Sequence, residues 1–110
     1  MNVFSVAASL GPATTFKGLR ILPDFSYREN NLPRIDILVI PSAEHHLDTD
    51  LENQEMLDFV RNTAASALYV TSHCDGAFVL AKAGLLDEVA STTFPGDMEK
   101  YKAAFPQLKV

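Results

Sequence analysis

Residues 67 to 84 read Ala67-Leu68-Tyr69-Val70-Thr71-Ser72-His73-Cys74-Asp75-Gly76-Ala77-Phe78-Val79-Leu80-Ala81-Lys82-Ala83-Gly84. The first five residues are a short apolar run of the kind that forms a buried strand. Ala77 to Ala83 is apolar almost all round, which predicts a buried helix with Gly84 as a left-handed cap and Leu85 folding back. Cys74 falls between the two, on a turn from strand to helix. A nucleophile on such a turn is held in a strained backbone conformation that tolerates only small neighbours two residues away on each side. Here those neighbours are Ser72 and Gly76. The turn lies at the carboxyl end of a sheet, where open α/β folds bind ligands, and beside a helix N-terminus, whose dipole favours negative charge.

Working outward, Ile35-Asp36-Ile37-Leu38-Val39-Ile40 is a second apolar run, rich in β-branched residues and stopped by Pro41. It reads as a strand covered on both faces. Between the runs, Thr49 with Glu52 three residues later fits a capping box, and Met56, Leu57, Val60 and Ala64 share one helical face. Strand, helix, strand at this spacing predicts a right-handed parallel crossover and an α/β fold. Val3 to Ala8 reads as a buried first strand ending at Gly11-Pro12, and residues 14–27 as an irregular edge strand or hairpin broken by Gly18 and Pro23. Glu88 to Phe94 has the pattern of another short strand. Met98, Tyr101 and Phe105 predict a short amphipathic helix that ends before Pro106, and Leu108 to Val110 the start of a further strand.

The chain has 110 residues, nine basic against fourteen acidic, for a net charge of −5. That length holds one core, so residues 1–110 are read as a single domain. The basic residues are scattered rather than clustered, which argues against a nucleic-acid face. No apolar run approaches the roughly 20 residues of a membrane span, and the N-terminal residues lack the basic start of a signal peptide. Cys74 is the sole cysteine, which fits a reducing, cytoplasmic setting. The five glycines form no dinucleotide fingerprint or phosphate loop, so no cofactor is expected.

Residues 72 to 86, from Ser-His-Cys-Asp-Gly through Ala-Gly-Leu-Leu, resemble the nucleophile elbow and following helix of the ThiJ/PfpI superfamily, which is related to class I glutamine amidotransferases. The likeness extends back through Asp36 to Pro41, forward through Ala90-Ser91-Thr92-Thr93, and across residues 5–26. Nearly the whole chain takes part, with the elbow as its specific motif. The subgroup most similar is that of isonitrile hydratases and related regulatory domains. The resemblance implies a flavodoxin-like three-layer sandwich with a mostly parallel sheet, a homodimer, and a reactive cysteine acting on a small molecule. It also implies that the domain is partial. The family's first strand and helix, with an acidic residue close to the cysteine, have no counterpart, and the family continues into further strands and a final helix beyond Val110.

Two departures bear on chemistry. Many members carry a His just after the Thr-Thr pair, as partner to the cysteine, where this chain has Phe94. The family's Gly-Gly after the strand-ending proline is Ser42-Ala43 here, so backbone N–H groups of Ser42, Ala43 and Asp75 are the candidate oxyanion donors. For proton transfer, His45 or His46 lies on the loop at the same sheet end as the elbow. His73 is the weaker candidate, because adjacent strand side chains point to opposite faces. Glu44, His45, His46, Asp48 and Asp50 are metal-ligand types without a spacing that fixes geometry, so no metal site is assigned. Asp48 and Asp50 suit a helix start, and the six carboxylates between Glu44 and Asp58 suit a solvated face. An ionised Asp75 would oppose a thiolate at Cys74, whereas a protonated one would donate a hydrogen bond to it. Two functions follow: a cysteine-dependent hydrolase or hydratase of a small molecule, and a non-catalytic domain that senses a ligand or redox state through Cys74.

Overall fold

The computed structural model describes residues 1–15, 18–42 and 51–110. They form two compact units, Met1–Arg34 and Ile35–Val110. In the first, β1 (Val6–Ala7) pairs in parallel with β4 (Phe25–Ser26), and β2 (Ala13–Thr14) pairs antiparallel with β3 (Arg20–Ile21). The irregular hairpin read from the sequence is therefore present, and its last residues form a parallel pair with β1. The first strand is shorter than the apolar run suggests. Val3 is 87% exposed, because only Val6 and Ala7 enter the ladder.

The second unit is built on β5 (Ile37–Ile40) and β6 (Tyr69–Ser72), paired in parallel from Ile37↔Tyr69 to Ile40↔Ser72. Helix α1 (Gln54–Ala64) connects them, as the strand–helix–strand pattern predicts. Its N-cap is Asn53, whose side-chain oxygen accepts from the Met56 N–H at 3.1 Å. The capping box placed the start earlier. Its Thr49 lies outside the described residues, and the cap falls where an amide side chain meets the first free N–H groups. Leu57 and Val60 are buried, with Met56 and Ala64 half-buried on the same face.

Helix α2 (Gly76–Lys82) accounts for the all-round apolar pattern after the cysteine. Val79, Leu80 and Ala83 join Leu38, Leu57 and Val60 in one cluster, while Ala77, Phe78 and Ala81 join Tyr101 and Phe105 in another. The helix ends as the glycine predicts. Gly84 has φ +80°, the Leu85 N–H donates to the Leu80 carbonyl at 3.1 Å, and the Gly84 N–H donates to that of Ala81 at 3.0 Å. This double closure is the Schellman motif, which an L side chain at Gly84 would strain. Arg61 reinforces it by donating from Nε to the Ala83 carbonyl at 3.1 Å.

A 3-10 turn (Pro95–Asp97) leads into α3 (Met98–Ala104), which closes before Pro106 as expected. Phe78, Tyr101 and Phe105 meet edge to face, with ring centroids 5.1 to 6.0 Å apart. Two strand expectations need correction. Residues 88–94 contribute only a bridge, Ala90↔Lys109, with the Ser91 N–H donating to the Lys109 carbonyl at 2.9 Å. Pairing stops there because Thr93 turns its hydroxyl to the elbow and Pro95 opens the 3-10 turn. Among the described residues, the β5–β6 ladder is covered on one face, not two. Leu38, Ile40 and Val70 pack under the helices, while Ile37 is 51% exposed, Val39 58% and Tyr69 65%. A pleated strand sends alternate side chains to opposite faces, and α1 and α2 cover only one. Among the described residues, no helix is long and apolar enough to cross a membrane.

Candidate active site

Cys74 has φ +54°, and it is the one non-glycine residue with positive φ among those described. This is the strained turn that the sequence predicts, and it follows β6 directly. The His73 N–H continues the ladder by donating to the Ile40 carbonyl at 2.9 Å. The Gly76 N–H then closes back on the His73 carbonyl at 2.9 Å, so the chain reverses into α2 within three residues.

Gly76 is required by space rather than by its own backbone angle. A Cβ there would run into the Ile40 carbonyl and lie 2.9 Å from that of Pro41. The helix thus enters against the carboxyl end of β5, which brings the elbow beside Ile40 and Pro41. Ser42 is exposed. Ala43, His45 and His46 lie outside the described residues, as do Glu44, Asp48 and Asp50.

Cys74 is half-buried and opens onto a groove of about 610 Å³. The apolar walls are Val70, Ala77, Leu80, Leu86, Phe94 and Pro95. Ser72, His73, Cys74, Ser91, Thr92 and Thr93 supply the polar lining. His73 and Cys74 both line the groove, and both follow the end of β6 on the turn, where strand alternation no longer applies. Phe94 stands in the groove with its ring over Gly96, where an added Cβ would come 2.9 Å from a ring carbon.

Asp75 is the least expected member of the site. It is 1% exposed and occupies the N-cap position of α2, yet its side chain makes no capping bond. The Thr93 hydroxyl lies 2.9 Å from Asp75 Oδ1 and 3.3 Å from the Cys74 carbonyl oxygen. Sequence reading missed this pair, since the two residues are 18 positions apart. The available signal was Thr93 itself, a polar residue whose neighbours otherwise read as strand.

A model of the DJ-1/PfpI family matches residues 1–107. The chain belongs to the DJ-1/PfpI family. Among curated proteins it is 36% identical over 93 residues to an isonitrile hydratase of Pseudomonas putida, an overlap of 84% of this chain and 40% of that enzyme. A solved ThiJ/PfpI family protein from Pseudomonas syringae superposes with a TM-score of 0.71 at 33% identity, covering 78% of this chain and 35% of the other. A protein from Vibrio parahaemolyticus described as a transcriptional regulator gives 0.79 at 21% identity, with 96% and 55% covered, and shows the fold alone. The DJ-1/PfpI chain thus has the flavodoxin-like α/β fold that its elbow implied. It spans two fifths of the hydratase's length.

Proposed function

We propose that this chain carries the nucleophile of a small-molecule hydratase or hydrolase, with Cys74 as the attacking group. The observation that supports it is the left-handed backbone of Cys74 (φ +54°) on a strand-to-helix turn, with its thiol opening onto an apolar groove. A strained residue persists only where its surroundings over-determine it, and such residues cluster at active sites. The similarity to an isonitrile hydratase supports a neutral electrophile with a carbon–nitrogen multiple bond.

On an isonitrile the sulfur and a proton both add to the terminal carbon, giving a thioformimidate, whereas on a nitrile the sulfur bonds to carbon and the proton passes to nitrogen. Water then adds at the same carbon and sulfur leaves, taking back a proton. The net change is one water added. His73, on the groove, is the described residue suited to move these protons, with His45 or His46 as further candidates. Backbone N–H groups of Asp75, Ser42 and Ala43 are the candidate donors toward developing negative charge. The proposal includes a homodimer and a cytoplasmic setting.

Phe94 favours a second reading. A phenyl ring supplies no general base, and its presence on the groove suits a domain that senses a ligand or redox state through Cys74. Incubating the full chain with a panel of isonitriles and nitriles, followed by product analysis, separates the two. Catalysis predicts a formamide or amide product that disappears in Cys74→Ser. Binding of the same compounds with no product from the unmodified chain favours the sensor.

A further inference from the structure

An aspartate at a helix N-cap ordinarily accepts from the N–H groups of the first turn. Asp75 makes no such capping bond, although it is 1% exposed. Its Oδ1 lies instead 2.9 Å from the Thr93 hydroxyl, and the same hydroxyl reaches to 3.3 Å from the Cys74 carbonyl oxygen. Both acceptors belong to the elbow. Thr93 is 8% exposed, and the residue that follows it is Phe94, an apolar wall of the groove. One buried hydroxyl therefore joins the cysteine turn to the segment that faces it across the groove. Packing alone would be served as well by valine, which has the same shape and no polar atom to satisfy.

We propose that Asp75 and Thr93 form a positioning pair, which holds the Phe94 wall at a fixed distance from the Cys74 turn and so limits the size of molecule that reaches the thiol. The pair acts through the elbow backbone and the placement of Phe94. It rests on the reading of Cys74 as the reacting group of the groove.

The test compares alkylation of the full chain by iodoacetamide and by its bulky pyrenyl derivative, with the urea-unfolded chain as the unrestricted reference. The folded wild-type chain should favour the small reagent more strongly than the unfolded chain does. Thr93→Val should move that ratio about fivefold toward the unfolded value, the factor expected for one lost hydrogen bond. Thr93→Ser keeps the hydroxyl and should restore the wild-type ratio, which a purely structural role would not require. Circular dichroism establishes that each variant is folded, and Thr93→Ala makes the same cut if the valine variant does not fold. A folded variant lacking the hydroxyl, with reactive Cys74 and an unchanged ratio, overturns the positioning pair alone. A wild-type Cys74 inert to both reagents overturns the reading of the groove and the pair with it.

Discussion

Met1–Arg34 and Ile35–Val110 are held together by different means. In the first, Ser26 is the sole buried residue among those described. Its hydroxyl donates to the Ala8 carbonyl at 2.8 Å and accepts from the Arg28 N–H at 3.1 Å. Nearby, the Ser5 N–H donates to Asp24 Oδ2 at 2.8 Å, and the Asp24 N–H donates to Ser5 Oγ at 3.0 Å. Short ladders and side-chain bonds to the backbone define this unit. In the second, α2 sits between two apolar clusters and touches both strands and α1. Apolar burial is the larger stabilising term per residue, whereas a typical hydrogen bond contributes a net ~1 kcal/mol. The elbow belongs to the unit with the apolar core, and a strained turn needs that kind of support.

The contrast is broken most directly at Phe78, which is 1% exposed and contacts both Tyr101 and Phe105. Phe78→Ala should cost roughly 3–5 kcal/mol in a urea titration. A loss below about 1 kcal/mol would mean that the α2–α3 cluster is not what holds the second unit. Gly76→Ala comes next, at roughly 1–3 kcal/mol, because its methyl group runs into the end of β5. The same substitution should change the alkylation rate of Cys74, since the elbow must shift to make room.

In the first unit, Ser26→Ala should cost about 1.5 kcal/mol. Hydrogen exchange at the Arg28 amide, which loses its acceptor, should rise while the amides of α2 stay protected. Equal deprotection of both would show that the units unfold together and would remove the contrast. The smallest effect is expected at the start of α1, where Asn53→Ala should cost about 1 kcal/mol. No loss there would move the working cap back toward Thr49.

The parts of the fold legible in the sequence are those fixed by local pattern. The all-round apolar run of residues 77–83 could only be buried, Gly84 could only serve the left-handed cap, and Ser72 and Gly76 flanked the cysteine with the small residues its turn requires. Strand faces were less legible. The continuous apolar run from Ile35 to Ile40 reads as covered on both faces, but coverage depends on what packs there rather than on the strand. The α1 start was blurred by several polar residues in succession, each able to cap. The Thr93–Asp75 contact joins residues 18 apart in the chain, and no local pattern encodes a hydrogen bond at that separation. Thus the left-handed turn at Cys74 was legible in the sequence, while the Thr93 contact to it was not.

Cys74 is the only thiol in the chain, so intact mass after brief exposure to iodoacetamide reads a single site. If Cys74 opens onto the groove as the reacting group, the folded chain gains one carboxamidomethyl group without denaturant, at least as fast as the urea-unfolded chain does. A thiol that reacts only once urea unfolds the protein would contradict it.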